Sequence, residues 1–308
     1  MKSLKISLIL LTMFSVLPAL CQNAAVTSSS DKTWTLKAKY QLNDLLVYKM
    51  IMNMKMSMAK PDGTALPMGS SESTASATIR MKTISVKPDG SAVITSSTSN
   101  GIVKTGGKSM PMPKTPVITM DIAPNGIAKM HGMDNIPGAQ FMSGSIPTMG
   151  IMCPDHPVKV GDEWENKIPN PLGGEDVTVN SQLLAVETIK GQETLKIKQA
   201  MTMPLEMKMG KDGKKADSEK AAMMTMHGDV TSTGINNIIP ENGRLVRSEG
   251  TFTSEIQMQM TGDAAAKSPF GSDMKMTQSG TIIMDMISAG KATSPAAHKS
   301  TATKKKKK

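Results

Sequence analysis

The sequence contains few of the residues from which most enzymes build active sites. It has 4 histidines and 2 cysteines, Cys21 and Cys153, among 308 residues. None of the common catalytic signatures occurs: there is no Gly-x-Ser-x-Gly elbow, no His-Glu-x-x-His, no phosphate-binding loop and no dinucleotide-binding fingerprint. Acidic residues fall mostly in turns and loops, where solvation accounts for them. The sequence therefore predicts a protein that is not an enzyme and uses no cofactor.

Aromatic residues are also scarce, at 3% of the chain. Proteins that bind nucleic acid usually interleave basic and aromatic side chains on a folded surface, and no such stretch occurs here. Of the formal net charge of +10, five charges belong to the final lysines, Lys304 to Lys308. We therefore expect no nucleic-acid partner, and the lysine tail either contacts an anionic envelope surface or is simply solvated.

A single long apolar run occurs, and it lies at the N-terminus. Two lysines precede the apolar stretch 6–17, and small residues occupy the −3 and −1 positions of a cleavage site before Gln22. A lipidated cysteine needs a small residue before it, whereas Leu20 precedes Cys21, so simple secretion is favoured over lipid anchoring. The predicted signal peptide is 1–21, and the mature protein is expected in the periplasm or outside the cell.

Helical periodicity is nearly absent, and apolar and polar residues alternate along most of the mature chain. A period of two is typical of antiparallel β-strands with one buried face. Turn sequences separate the alternating runs, such as KPDG at 87–90 and PNG at 124–126. The pattern predicts an all-β fold with little helix, arranged as an antiparallel open or half-closed barrel. Polar segments between the runs, including 59–75 and 104–114, are predicted to be surface loops.

A weak internal repeat divides the mature chain into two similar halves. The run NDLLVYKM resembles GDEWENKI, and the turn sequence PNG resembles ENG at nearly the same spacing. We therefore predict a first β half over 22–150 and a second over 151–290. The remaining residues, 291–308, have no apolar pattern and are predicted to be disordered.

The segment PDHPVKVGDEWE (154–165) resembles the middle of a family of uncharacterised secreted or lipid-anchored bacterial proteins with a Pro-Val-x-x-Gly-Asp-x-Trp segment. The Met-x-Met strands and the run GRLVRSEGTFTSEIQMQM fit the same pattern. The family has no assigned activity, and its sheet-rich build is similar to the half-barrels of periplasmic lipoprotein carriers. The resemblance therefore implies a β half-barrel. The residues themselves predict that Gly161 and Asp162 turn the chain into a strand that buries Trp164.

Methionine is abundant, with 30 residues. In KMIMNMKMSM (49–58) it occupies every second position, so five methionines share one face of a strand and mainly polar residues share the other. The same pattern recurs in later runs, where Leu205 and Ile256 take positions in the methionine register. The predicted apolar or ligand-binding face consists of Met50, Met52, Met54, Met56, Met58, Met201, Met203, Met207, Met209, Met258 and Met260.

This face has two interpretations, packing and metal binding. A hydrophobic face accepts leucine and isoleucine, whereas a set of metal ligands does not, so the substitutions favour packing. Thioethers nevertheless select Cu(I). The alternative metal-binding residues are Met130, His131, Met133, Met226 and His227.

A second pair of residues, Cys153 and His156, offers a ligand pair or a nucleophile with its base. The two residues lie in a segment flanked by prolines, and no third partner is evident. A structural linker is the simpler interpretation of this segment.

Together these features predict an exported, non-catalytic β protein. Its methionine face is expected to bind or carry an apolar small molecule, a lipid-like ligand or the hydrophobic segment of a partner, since flexible methionine surfaces suit varied ligands. The alternatives are a structural envelope protein without a ligand and a methionine-rich Cu(I)-binding protein. An apolar cavity behind the sheet favours carriage, whereas a solidly packed sheet favours the structural alternative.

Overall fold

In the part of the chain that the structure describes, alternating apolar and polar residues fold into twelve β-strands. The computed structural model describes residues 32–112, 116–131, 151–170, 175–210, 223–261, 265 and 272–292, without the side chains of 67–69 and 130. The strands are β1 (Asp44–Ala59), β2 (Ala65–Val86), β3 (Ala92–Thr105), β4 (Lys108–Pro111), β5 (Ile118–Ile122), β6 (Ala128–His131), β7 (Glu163–Ile168), β8 (Val177–Ile189), β9 (Gln192–Met209), β10 (Met224–Ile238), β11 (Leu245–Met260) and β12 (Asp273–Lys291). The predicted all-β fold is confirmed.

All twelve strands belong to one antiparallel sheet. Its order is β6-β5-β3-β2-β1-β12-β11-β10-β9-β8-β7, and β4 pairs with the end of β3. The first and last strands pair along the whole of β1, from Asp44 opposite Lys291 to Ala59 opposite Lys275. The edge strands β6 and β7 are short and do not pair with each other. The sheet is therefore an open half-barrel, as predicted.

The segment 32–40 crosses one end of the half-barrel. The amide of Ala38 donates a hydrogen bond to the carbonyl of Pro124, and the amide of Lys39 donates to that of Asn242, each at 2.9 Å. These carbonyls belong to the turns that follow β5 and β10. The segment therefore ties together two turns that lie far apart in the sheet order, and it defines the closed end of the half-barrel.

Glycine is required at the turn after β5. Gly126 has a φ of +87°, a left-handed conformation that favours glycine. A Cβ atom at this position would lie 2.0 Å from the carbonyl oxygen of Ile151. The backbone at Ile151 therefore passes directly over the turn after β5. From Ile151 the chain continues to the start of β7.

Two buried clusters fill most of the inner face of the half-barrel. The closed-end cluster is rich in branched and aromatic residues: Trp34, Leu36, Tyr48, Ile79, Met81, Ala92, Ile94, Met120, Ile122, Ile151, Cys153, Val158, Trp164, Leu183, Leu195, Ile197, Ile238, Leu245 and Met284. The methionine-end cluster is Met58, Leu66, Met152, Ile168, Val177, Val179, Met201, Met203, Leu205, Met207, Met226, Val230, Ile256, Met258, Met274 and Met276. Both clusters contain residues from the early and the late strands. The division of the chain into two similar halves stays a prediction.

The strands cover more of the chain than the sequence predicted. The predicted loop 59–75 reduces to a turn at 60–64, because β2 begins at Ala65 and pairs with Ala59 of β1. The predicted loop 104–114 likewise contains the end of β3 and all of β4. Both predictions were wrong because small polar residues concealed strands with polar side chains on both faces.

The sequence also predicted features at both ends of the chain. Strand β12 continues to Lys291, where the disordered tail was predicted to begin. The predicted signal peptide and the lysines at 304–308 lie outside the described residues. Among the residues that are described, no helix combines the length and apolarity that crossing a membrane requires.

Candidate functional site

The methionines of β1 lie on the inner face of the half-barrel. Met52 and Met54 are 5% exposed and Met58 is 9% exposed, while Met50 and Met56 are half-buried. The outer face of the same strand is polar and hydrogen-bonded to its neighbours, as Asn53 shows by donating to Thr281 Oγ1 at 3.2 Å. The strand therefore separates an apolar inner side from a solvated outer side.

The predicted methionines of β9 and β11 share this inner face. Met201, Met203, Met207 and Met258 are buried, and Met209 and Met260 are half-buried. Leu205 and Ile256 continue the same face and are 1% and 0% exposed. Leucine and isoleucine thus occupy two of the most completely buried positions of β9 and β11.

The pairing register brings together methionines that are distant in sequence. Met207 lies opposite Met226, Met226 opposite Met258, and Met258 opposite Met274, so four neighbouring strands each contribute one side chain to a row. The next position towards the strand ends forms a second row, which consists of Met209, Met224 and Met260. Directly paired residues point to the same face of a sheet. The predicted apolar face omitted Met224 and Met274, although both lie in alternating runs.

A band of polar side chains crosses the inner face between the two clusters. Gln199 Nε2 donates to Ser181 Oγ, and Asn236 Nδ2 donates to Gln199 Oε1, each at 3.0 Å. Ser248 is 2% exposed, and its Oγ has no hydrogen-bond partner among the described residues. Together with Gln199 and Asn236 it lines a cavity of about 20 Å³. Since a water needs roughly 10–15 Å³ of such space, the cavity has room for a water that satisfies the hydroxyl.

The closed end contains a second small cavity beside a buried ion pair. Arg244 pairs with Asp44, and their side chains are 23% and 10% exposed. The hydroxyl of Tyr48 donates to the carbonyl of Leu245 at 3.2 Å. These residues line a cavity of about 60 Å³ together with Tyr40 and mainly apolar side chains. Burial raises the pKa of Tyr40 and of Tyr48 above the usual range, so both hydroxyls stay protonated at neutral pH.

The larger grooves lie elsewhere and are polar. One of about 1050 Å³ is lined mainly by hydroxyl and charged side chains of β1, β2, β11 and β12, with the β3–β4 turn at its rim. A neighbouring groove of about 440 Å³ is similar in character and shares Lys55, Thr253 and Ser279 with it. The lining of the larger groove also includes the apolar side chains of Met54 and Phe252.

Of the alternative metal-site residues that the structure describes in full, His131, Met226 and His227 are not brought together. Met226 is buried in the methionine-end cluster, whereas the neighbouring residue His227 is exposed, since successive residues of a strand face opposite sides. His131 is instead paired with Asp121, with 3.1 Å between Nε2 and Oδ2. The side chain of Met130 and all of Met133 lie outside the described residues. Within those residues, no group of three or more His, Cys, Asp or Glu side chains is placed to hold a metal ion.

Cys153 and His156 lie in different environments, one buried and the other exposed. Cys153 is 3% exposed, and burial raises the pKa of its thiol to about 11. His156 is exposed and hydrogen-bonded to Asp155, with 2.7 Å between Nδ1 and Oδ1. A buried, protonated thiol is neither a good nucleophile nor a good metal ligand. The segment has the features of a structural linker.

The Gly-Asp-x-Trp segment (161–164) holds this linker against β7. Gly161 has a φ of +98°, and Asp162 Oδ2 accepts the backbone N–H of Lys159 at 2.9 Å, which fixes the turn before β7. Trp164 is 7% exposed and donates its Nε1–H to the carbonyl of Met152 at 2.9 Å. The tryptophan therefore anchors the buried linker against β7.

Comparison with known proteins gives little further information. No protein family model matches the chain, and no curated protein matches it. One solved structure, described as showing lipid–protein interactions in lipovitellin, is similar over 84% of this chain, with 9% sequence identity and a TM-score of 0.43. The similar region is 26% of that protein, so this chain spans about a quarter of its length. The comparisons assign no family to the chain.

Proposed function

We propose that this protein is an exported, non-catalytic β protein that binds an apolar or lipid-like molecule on the methionine-lined inner face of its half-barrel. The observation that carries the proposal is the continuous apolar surface of the methionine-end cluster, to which β1 and β9–β12 all contribute. The ligand is expected to enter at the methionine end, where Met209, Met224 and Met260 are only half-buried.

Methionine side chains are suited to this role. They are unbranched and have three rotatable bonds, so they rearrange around guests of different shape at little cost. Such surfaces occur in proteins that bind varied partners. The methionine face can therefore be closely packed in the absence of ligand and still open around an apolar chain.

The open sheet also favours ligand entry. A closed barrel resists expansion because every strand is held by two neighbours, whereas an open sheet has edges that can move apart. The edges here are the four-residue strand β6 and the six-residue strand β7. Separation of these edges would widen the inner space without breaking any ladder between the long strands.

A structural envelope protein without a ligand is the second candidate, and burial favours it. Seven of the eleven predicted face methionines are buried, namely Met52, Met54, Met58, Met201, Met203, Met207 and Met258. The inner cavities described above measure only about 20 and 60 Å³. In this alternative the methionines are filled core and nothing else binds there.

Titration with a fluorescent long-chain fatty acid separates these candidates. We expect saturable binding that a non-fluorescent fatty acid displaces, because the inner face provides a finite apolar surface. Replacing the half-buried Met209, Met224 and Met260 by glutamine keeps their length but makes the entry polar, so binding should weaken several-fold. The matched control is Met110→Gln, because Met110 is 53% exposed on the separate strand β4.

Each outcome of the titration decides between the candidates. Binding that is weakened by the triple glutamine variant and unchanged by Met110→Gln supports carriage on the inner face. Absence of saturable binding to the folded parent protein would instead favour the structural alternative. Equal weakening by both variants would place any binding outside the methionine end.

A further inference from the structure

The positions of leucine and isoleucine among the methionines of the inner face become clear only when residues are compared across the paired strands. Along β9 and β11, methionine alternates with occasional Leu205 and Ile256, and the mixture is typical of packing. Across the strands, however, these two residues fall in one row, because Leu205 lies opposite Gly228 and Gly228 opposite Ile256. The row continues through β12 and β1 with Met276 and Met58. The two rows nearer the strand ends contain methionine at every position that is paired in the ladders of β9 to β12.

We propose that these two rows, here called the methionine rim, form a binding site for Cu(I). The rim consists of Met207, Met226, Met258 and Met274 in the inner row and Met209, Met224 and Met260 in the outer row. This site shares Met226 with the Met/His residues suggested by the sequence, but its other members are different and none is a histidine. It goes beyond the proposed binding of an apolar ligand and does not depend on it.

The spacing of the rim suits a small cation. Cβ atoms of directly paired residues lie roughly 4.5–5.5 Å apart, and successive positions on one face of a strand are about 6.6–6.8 Å apart. A methionine side chain places its sulfur two bonds beyond Cβ on freely rotating bonds. Three or four sulfurs from neighbouring strands can therefore converge on one ion without movement of the backbone.

The chemistry of the rim selects the ion. Thioether sulfur is a soft, neutral ligand that prefers Cu(I), whereas carboxylate and carbonyl oxygens suit harder ions. The odd-numbered and even-numbered positions of these strands face opposite sides, so the charged neighbours Lys208 and Lys275 alternate with the rim and belong to the outer face. Since a thioether has no proton to lose, binding is expected to be nearly independent of pH, unlike binding by cysteine or histidine.

The two rows of the methionine rim differ in their exposure to solvent. The inner row is well buried, with Met207, Met226 and Met274 each 4% exposed, while the outer row is half-buried. An ion can therefore reach the outer row from solvent and be held by the inner row away from water. Cys153 belongs to the closed-end cluster, so the thiol is not part of this site.

Packing alone does not require this arrangement. Methionine accounts for 30 of 308 residues, about a tenth of the chain, yet it fills all seven rim positions. The adjoining row shows that leucine, isoleucine and glycine are accommodated on the same face. A purely hydrophobic rim would accept those residues equally well, whereas a thioether site would not.

The test is a competition titration with Cu(I) kept reduced by ascorbate, using a chromophoric Cu(I) chelator and the full chain with Cys21→Ser and Cys153→Ser. The rim variant replaces Met207, Met226 and Met258 by leucine, which preserves volume and apolarity. The control variant makes the same change at three inner-face methionines that lie opposite Ile282, Gln278 and Val230 instead of other methionines: Met52, Met56 and Met203. Circular dichroism establishes that all three proteins are folded.

We expect the parent and the control variant to take Cu(I) from the chelator stoichiometrically and the rim variant to lose this binding. The parent should bind equally at pH 6 and pH 8. Failure of the parent to compete, equal loss in the control variant, or unchanged binding by the rim variant would each overturn the proposal. Because leucine keeps the rim apolar, the rim variant should still bind the fluorescent fatty acid, so a failure of the metal site and a failure of apolar binding are distinguishable.

Discussion

The closed end and the methionine end of the half-barrel belong to the same sheet but are stabilised differently. At the closed end, tryptophan, leucine and isoleucine pack around Tyr48, and the Asp44–Arg244 pair and the 32–40 segment add polar contacts. At the methionine end, the inner face is covered largely by thioethers. Branched and aromatic residues specify one packing arrangement, whereas methionine tolerates several. The closed end is therefore expected to be rigid, and the methionine end is expected to adapt its packing more easily.

The largest effect is expected from removing the tryptophan of the closed end. Trp164→Ala deletes a buried side chain and the hydrogen bond to the carbonyl of Met152, and should lower the free energy of unfolding by about 3–5 kcal/mol. Urea denaturation measures the change. Met226→Ala at the methionine end should cost less, about 2 kcal/mol, because neighbouring methionines can fill the cavity. Equal costs at the two positions would contradict the difference in rigidity.

The ion pair at the closed end should have the next largest effect. Asp44→Asn leaves the half-buried guanidinium of Arg244 without its charged partner, and we expect a loss of about 2 kcal/mol in the free energy of unfolding. The matched control is Glu72→Gln, which breaks an exposed pair with Lys55. That change should cost less than about 0.5 kcal/mol, because exposed pairs contribute little. A similar loss in both variants would show that the Asp44–Arg244 pair stabilises the closed end no more than an exposed ion pair does.

Alkaline pH should weaken the closed end through Cys153. Burial raises the pKa of the folded thiol to about 11 from the model-compound value of 9.0, so the unfolded state loses its proton first. The stability contributed by the neutral thiol is full below pH 9 and is lost as the pH rises towards 11. We expect a loss of about 1 kcal/mol between pH 8 and pH 10 under reducing conditions. Cys153→Ala should remove this part of the decline, and an unaltered profile would show that the thiol does not cause it.

The smallest effect is expected from exchanging similar side chains at the two ends. Met226→Leu at the methionine end should cost less than about 1 kcal/mol, because neighbouring methionines adjust to the new shape. Ile197→Met at the closed end should cost more, since Ile197 is 0% exposed among branched neighbours. Thermal unfolding of both variants measures the difference. The opposite order would mean that the methionine end is the more precisely packed.

Local patterns in the sequence predicted the general fold because they depend on neighbouring residues alone. The alternation of Met52 and Met54 with polar residues specified an antiparallel sheet with one apolar face, and the sheet has that character. The same rule of alternation should have separated Met226 from His227, which were wrongly grouped because proximity in sequence was taken for proximity in space. The strand at 65–75 was missed because its serines and threonines concealed the alternation.

The arrangement of the site was not predictable, because it depends on register between distant strands. Nothing near Asp44 indicates that its partner is Arg244, 200 residues later. The rows of the methionine rim likewise arise only when β9, β10, β11 and β12 are paired in a definite register. A shift of one residue would turn these methionines to the opposite face. The residue types are therefore visible in the sequence, whereas their grouping is not.

The pairing of β1 with β12 has a consequence for how the chain acquires its structure. One edge of β1 pairs with the next strand at once, but the other edge waits for the last strand, which begins at Asp273. At synthesis rates of about 5–20 residues per second, the intervening chain takes roughly 10–50 s to appear. Such non-local pairing makes folding slow, and an unpaired apolar strand edge is prone to aggregate. We therefore expect a factor that shields the free edge of β1 before β12 is available to reduce aggregation of the unfolded chain.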